Sequence, residues 1–185
     1  MNIQTQKRGF TLIELLIVIA ILGILASTVV VVLNPAELLK QARDSQRISN
    51  LDSINTALAY YVTNASVTPS LGSTNYNSLA GTGLASCEAA SPAGLNIFLV
   101  DGTGWVSVDF DELSGGSPLS TLPRDPTNST TYHYCYGPND TADTWELEAK
   151  LESIKFATSL GYASTDGGDS ATWYEIGTAS GLSIF

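Results

Sequence analysis

The chain has little of the chemistry on which most catalytic and metal sites depend. Its 185 residues include two cysteines and one histidine. A structural zinc site takes about four Cys or His ligands at close spacing, which this chain does not supply. It also contains no Gly-rich phosphate loop, metalloprotease helix or nucleophile elbow. The sequence therefore predicts no enzyme, and His133, within an aromatic run, is interpreted as a packed or solvent-facing side chain rather than a general base.

Basic residues are also scarce. The chain has 8 Lys+Arg against 18 Asp+Glu, a net charge of −10. Residues 65–185 hold only Arg124, Lys150 and Lys155 against 14 acids, a balance of −11. Nucleic-acid binding depends on Lys and Arg that neutralise phosphates. We therefore expect no direct nucleic-acid partner.

The first third of the chain contains one long apolar run. It follows Lys7, Arg8 and Gly9, is interrupted by Glu14, and then continues from Leu15 to Leu33 without charge or proline. As a helix, these residues would span roughly 28 Å, close to the ~30 Å hydrocarbon core of a bilayer. Positive residues stay on the cytoplasmic side of a membrane, so the rest of the chain is expected to face outward.

Three interpretations of this run compete. A secretory signal has an apolar core of about 7–15 residues and a small-residue cleavage site, whereas this run is longer and residues 24–28 make a poor site. A plain membrane anchor does not explain Glu14, because a charge costs on the order of 2.5–3.5 kcal/mol at mid-bilayer and less near one end. Third, the sequence from Gly9 to Glu14, GFTLIE, resembles the processing site of type IV pilins and of type II secretion pseudopilins.

The resemblance implies a processing pathway and an assembly mechanism. It implies cleavage after Gly9 by a prepilin peptidase and N-methylation of Phe10. It also implies that Glu14 helps subunits to dock by pairing with the Phe10 amine of a neighbour, since a carboxylate in apolar surroundings must find a partner. The implied partners are further copies of the chain in a helical filament, the inner-membrane assembly platform and, before assembly, membrane lipid. The protein would begin in the inner membrane as a single-pass precursor and end in an extracellular or periplasmic filament.

The fold expected from these features is α+β and type IV pilin-like. A long N-terminal helix, membrane-spanning in its first half, packs on a small antiparallel β-sheet. The expected division of the chain is a leader over residues 1–9, a filament-core helix over 10–33, an amphipathic helix over 34–64, and an exported β-domain over 65–185.

The junction at Asn34-Pro35 allows two versions of the long helix. Asn34 could cap a second helix, with Pro35 in its first turn and Glu37 reaching back. Alternatively, Pro35 kinks one continuous helix, and the resemblance favours this version. Beyond the junction, apolar residues recur at intervals of three and four residues, which indicates one helix face that packs on the sheet. They are Leu51, Ile54, Leu58 and Tyr61. Asp44 and Arg47 are spaced to pair along the helix.

Strand-like runs occupy residues 95–100, 105–110, 131–136, 144–151 and 172–176, and short helical turns are expected around 76–79. The third and fourth runs should form a hairpin that turns at residues 137–140. Along 144–151 the alternation places Trp145 and Leu147 on the face toward the helix, and Glu146 and Glu148 on the face toward water.

Two further sites are expected in the exported domain. Cys87 and Cys135 would form a disulfide if the domain lies outside the cytoplasm, the alternative being two buried thiols. Asp166 and Asp169 flank two glycines and offer oxygen ligands of the kind Ca²⁺ accepts. The resemblance supports calcium here, because major pseudopilins bind it in a C-terminal loop, but the default is a plain acidic turn.

The primary functional hypothesis is a structural subunit of a type IV pilus-like filament. The second is a type II secretion pseudopilin, favoured by Leu122–Pro126, whose sequence LPRDP resembles a segment that major pseudopilins and related pilins carry before the sheet. The third is a membrane-anchored enzyme or binding domain that uses the leader only for export.

Overall fold

The computed structural model describes residues 9–66, 68–79 and 96–185. The chain divides into two compact units, Met1–Leu39 and Lys40–Phe185. A long N-terminal helical stretch is followed by a four-stranded antiparallel sheet. The predicted α+β fold class, a long N-terminal helix followed by a small antiparallel sheet, is therefore confirmed, and it is consistent with a pilin-like fold.

The first unit contains helix α1, Leu12–Leu33. It ends at Asn34, which has the left-handed conformation with φ 40°, and helix α2, Pro35–Asn64, begins at the next residue. Asparagine tolerates this conformation better than most residues, and proline fits a first helical turn because its missing N–H would be unpaired there. The helical hydrogen bonding is therefore interrupted at Asn34, so the expected kink within one continuous helix is replaced by a break between two.

In the second unit, α2 buries the predicted apolar stripe. Leu51, Ile54, Leu58 and Tyr61 are almost completely buried. They share one core with side chains of the sheet and of the loop between β1 and β2. The main partners are Val108, Phe110, Tyr134, Tyr136, Trp145 and Leu147.

The sheet has the order β1-β2-β3-β4, with every neighbouring pair antiparallel. Its strands are β1 Tyr76–Asn77, β2 Tyr134–Asn139, β3 Thr144–Ala149 and β4 Tyr174–Gly177. The β2–β3 hairpin was predicted, although its turn lies later than expected, because residues 137–139 are still part of β2. The expected helical turns around 76–79 are wrong, since this segment supplies an edge strand. The remaining short elements are a 3₁₀ helix Phe110–Glu112, a π-helix Ile154–Ser159 and α3, Tyr162–Thr165.

Residues 96–110 do not form the two strands that their composition predicted. The described residues contain an isolated bridge between Asp101 and Asp109, a hydrogen bond of 2.8 Å from Trp105 N to Ile97 O, and another of 2.8 Å from Phe110 N to Val100 O. The apolar residues are used instead to fill the core from a folded loop. The apolar composition of these residues shows that they are buried, but it does not specify a strand, because a loop can also bury them.

A buried cation connects α2 to two distant segments. Arg47 is completely buried and donates to Asp125 through two nitrogens, at 2.7 and 3.1 Å. It also donates to Asp44 and Glu152, both at 2.8 Å. The predicted Asp44–Arg47 pair therefore exists, but as part of a buried network rather than as a surface helix pair.

Candidate functional site

The start of α1 carries a reciprocal cap. Thr11 precedes the helix, and its hydroxyl accepts from the backbone N–H of Glu14 at 3.2 Å. The Glu14 carboxylate in turn accepts from the Thr11 backbone N–H and hydroxyl, both at 2.8 Å. This capping box satisfies N–H groups that the first turn of a helix leaves unpaired. Within one chain, therefore, Glu14 already has local donors.

Beyond this cap, α1 has no buried residue in the described structure. Phe10 is 90% exposed. The stretch Leu12–Asn64 includes an 18-residue window that is apolar enough to cross a membrane, with no part of that window buried. An apolar surface of this size is unfavourable in water, so it requires a lipid or protein environment.

In the unit Lys40–Phe185, the outer face of the sheet holds a cluster of carboxylates. Glu146 and Glu148 alternate on β3, and Glu175 lies opposite Glu148 on β4. One oxygen from each of the three carboxylates lies within 4.8 Å of the others. The flanking positions opposite Glu146 are Gly137 and Gly177. The hairpin alternation therefore places acids together at the centre of this face.

The expectation that this face meets water is wrong. Glu146 is 0% exposed and Glu148 is 3% exposed. The backbone N–H of Ile184 donates to Glu146 Oε2 at 2.7 Å, and that of Ser170 donates to Glu175 Oε2 at 2.9 Å. Residues 166–173 and 182–185 thus cover the face, although neither segment has the periodicity of a packing element.

Burial strongly perturbs the titration of the cluster. Desolvation, the largest cause, raises the pKa of Glu146 and of Glu148 well above the ordinary carboxyl value. Glu175 and Asp169 add negative charge that raises both pKa values further. Desolvation also raises the pKa of Glu175. The site therefore disfavours three negative charges unless a proton or a cation compensates for them.

The residues predicted to bind calcium have another visible role. Asp166 accepts from the backbone N–H of Gly168 at 3.1 Å and from that of Glu175 at 2.9 Å. It thereby positions the covering loop against β4. Gly168 allows a close approach here, because a Cβ at this position would meet the Glu175 carboxylate and require that side chain to shift. Calcium binding by Asp166 and Asp169 stays a prediction.

Cys135 and His133 lie near the same layer. Cys135 is completely buried and packs with Trp173 and Phe185. Its predicted partner, Cys87, lies outside the described residues, so the disulfide stays a prediction. His133 is buried against the Trp173 ring, with centroids 5.3 Å apart, and desolvation lowers its pKa. This placement agrees with the interpretation of His133 as a packed residue.

Two features of these sites were missed in the sequence. The capping box had a signal, because Thr11 and Glu14 have the S/T-x-x-E spacing immediately before an apolar run. The burial of Glu146 and Glu148 had no such signal, since their alternation on β3 is typical of a solvent-facing side of a sheet. It depends on segments that fold over the strand from later in the chain.

The comparison with protein families supports the interpretation of the N-terminal segment. Residues 4–30 match the family model described as Prokaryotic N-terminal methylation motif. No curated protein and no solved structure is a significant match to the chain. The match covers the cap at Thr11, the Glu14 carboxylate and most of α1.

Proposed function

We propose that the chain is a prepilin of the type IV pilin and pseudopilin family and serves as a structural subunit of a type IV pilus-like filament. The match of residues 4–30 to the Prokaryotic N-terminal methylation motif supports this proposal. In this proposal a prepilin peptidase cleaves after Gly9 and Phe10 becomes the methylated N-terminal residue. The observation that carries the proposal is α1, a 22-residue apolar helix without a buried residue. Such a helix can occupy a bilayer as a precursor and a filament core after assembly.

Cleavage changes what Glu14 can bind. Once the bond after Gly9 is broken, Phe10 carries a free amine, whereas the Thr11 amide remains in the capping box. In the membrane, the two Thr11 donors at 2.8 Å reduce the cost of placing the Glu14 carboxylate near hydrocarbon. In the filament, the amine of a neighbouring Phe10 supplies the opposite charge. Glu14 therefore acts in sequence as a cap and as a docking group.

The remaining partners follow from this pathway. The precursor contacts membrane lipid, the peptidase and the inner-membrane assembly platform, and the mature chain contacts copies of itself. The acidic unit Lys40–Phe185 would lie on the outside of the filament. The Cys87–Cys135 disulfide belongs to the same proposal, since export places the domain in an oxidising compartment.

The alternative is a pseudopilin that drives protein export through a type II secretion system. It is favoured by the segment Leu122–Pro126. In the structure Leu122 is buried and Asp125 binds Arg47, so this segment fixes the loop before β2 to α2. The alternative shares the processing, membrane anchoring and Glu14 chemistry described above. It differs in the location of the filament, which would be periplasmic rather than extracellular.

The capping and docking roles of Glu14 can be separated by two variants. Thr11→Ala removes the hydroxyl of the capping box, a loss of about 0.5–2 kcal/mol in helix stability, but leaves the carboxylate available. Glu14→Ala removes both roles. We expect Glu14→Ala to give a processed membrane protein that does not assemble, and Thr11→Ala to assemble. Thr28→Ala, which alters an exposed hydroxyl of the same helix, is the matched control.

The measurement is intact mass and N-terminal sequencing of the sheared surface fraction and of the membrane fraction. A chain starting at methylated Phe10 in the sheared fraction supports a pilus subunit, and the same chain confined to membranes supports the pseudopilin. Equal assembly defects in Thr11→Ala and Glu14→Ala would contradict the docking role, because loss of the helix cap alone would then explain both defects. An uncleaved Met1 would contradict the whole proposal.

A further inference from the structure

We propose that Glu146, Glu148 and Glu175 form a binding site for a hard divalent cation, Ca²⁺ in particular, between the outer face of the sheet and the segments that cover it. The site differs from the sequence-predicted pair Asp166 and Asp169, since its ligands come from two adjacent strands. It is independent of the filament proposal, because it concerns the sheet alone.

The spacing of the carboxylates fits one central ion. One oxygen of each residue lies within 4.8 Å of the other two. Ca²⁺ binds oxygen at about 2.3–2.6 Å, so two of its ligands are separated by at most roughly 5 Å. Three atoms no more than 4.8 Å apart lie within about 2.8 Å of a common centre, so a small adjustment of the side chains would bring all three oxygens into contact with one Ca²⁺. The register that pairs Glu148 with Glu175 and places Glu146 two residues away creates this geometry.

When all three carboxylates are ionised, three of their oxygens have no hydrogen-bond donor, and a proton shared with Glu175 is the alternative to a cation. These oxygens are Oε1 of Glu146, Oε2 of Glu148 and Oε1 of Glu175, and each is inaccessible to solvent. Their residues are at most 3% exposed. A buried polar atom without a partner costs about 1–3 kcal/mol, and more if it is charged. Each carboxylate thus contributes one oxygen that lacks a donor and is available to a cation.

Charge leads to the same conclusion. Three ionised carboxylates in a dry layer repel one another, and Asp169 adds to the negative potential at Glu146 and Glu148. The ion pairs in the described part of the chain join Arg43 and Arg47 to other acids and leave this cluster without a basic partner. A divalent cation would compensate most of the charge.

The donor set selects the class of ion. All three ligands are carboxylates, which suit hard cations, whereas nitrogen and sulfur ligands favour zinc or copper. Mg²⁺ requires near-octahedral geometry at about 2.0–2.1 Å and retains several waters. A covered site in which each carboxylate offers one oxygen, without fixed octahedral geometry, suits the larger, more adaptable Ca²⁺ better. The hydrogen bonds from Ile184 and Ser170 hold the opposite oxygens of Glu146 and Glu175 in place.

The test uses the full chain in detergent, treated with EDTA and then dialysed. Calcium binding is measured by titration calorimetry, and urea unfolding is followed by tryptophan fluorescence with CaCl₂, with MgCl₂ or with EDTA. We expect one Ca²⁺ per chain and a higher unfolding midpoint in CaCl₂ than in EDTA. Glu148→Gln, which preserves shape and removes charge, should weaken binding by more than about tenfold. The exposed Asp111→Asn should leave binding unchanged.

Two results would overturn the site. One is a wild-type chain that shows neither calcium-dependent heat nor a shift of the unfolding midpoint. The other is a folded triple Gln variant of the three glutamates that binds calcium as tightly as wild type, especially if Asp166→Asn and Asp169→Asn abolish that binding. The wild-type comparison remains decisive even if the triple variant does not fold.

Discussion

Replacement of Arg47 by alanine should be one of the most destabilising single changes in the unit Lys40–Phe185. Arg47 is completely buried and is paired with three carboxylates, those of Asp44, Asp125 and Glu152, at 2.7–3.1 Å. Its aliphatic stem also packs inside the fold, and its guanidinium lies 4.9 Å from the centroid of the Tyr132 ring. The substitution removes a cation from a site that has no access to water.

The magnitude follows from what the acids retain. Without Arg47, Asp125 keeps the N–H groups of Thr127 and Asn128, and Glu152 keeps Arg43 at 2.6 Å. These remaining partners keep the effect near the range for breaking a buried ion pair, about 3–5 kcal/mol. Arg47→Lys retains the charge but loses the two-nitrogen contact with Asp125, so we expect a smaller loss of about 1–3 kcal/mol.

The assay is urea unfolding of the full chain in detergent, followed by tryptophan fluorescence. All three tryptophans, Trp105, Trp145 and Trp173, lie in the unit Lys40–Phe185, so the signal reports this unit. Arg124→Ala is the control, because Arg124 is exposed and surface pairs contribute about 0–1 kcal/mol. A loss for Arg47→Ala no greater than for Arg124→Ala would refute the reasoning that the network is buried and structural.

Two further predictions concern pH and close packing. The Arg43 and Arg47 guanidinium groups lower the pKa of Glu152 to about 2 from its ordinary value of 4.5, so stability from this acid is complete above pH 4.5 and is lost as pH falls toward 2. Acid titration of urea stability should show up to about 3 kcal/mol of this loss, and Glu152→Gln should remove it. Gly177→Ala should destabilise the fold by at least about 1–3 kcal/mol, because a Cβ there would collide with the Trp145 carbonyl oxygen; urea unfolding measures this loss.

Matched variants test each of these two predictions. Asp111→Asn changes an exposed acid and should keep the acid dependence of wild type. An unchanged dependence in Glu152→Gln would contradict the role of Glu152. Gly115→Ala should be tolerated, since the nearest atom to its Cβ would be the Tyr60 hydroxyl at 3.7 Å. Equal stability of the two alanine variants would contradict the packing argument.

The sequence alone determined the features that depend on near neighbours in the chain. The segment from Gly9 to Glu14 and the apolar run to Leu33 have a meaning that does not require the rest of the fold. Alternation predicted the β2–β3 hairpin, and the three-and-four spacing predicted the buried face of α2, since a periodic pattern specifies which side of an element is apolar.

Tertiary structure decided which polar residues lie inside. Arg47 is read from the sequence as a surface helix residue, yet Asp125, 78 residues later, and Glu152, 105 residues later, enclose it. Glu146 and Glu148 alternate with apolar residues, as on a solvent-exposed face of a sheet, yet segments 166–173 and 182–185 cover them. No local pattern encodes these contacts, because the covering segments are irregular and polar burial depends on which distant groups meet. The carboxylate cluster of this protein is therefore a product of the fold.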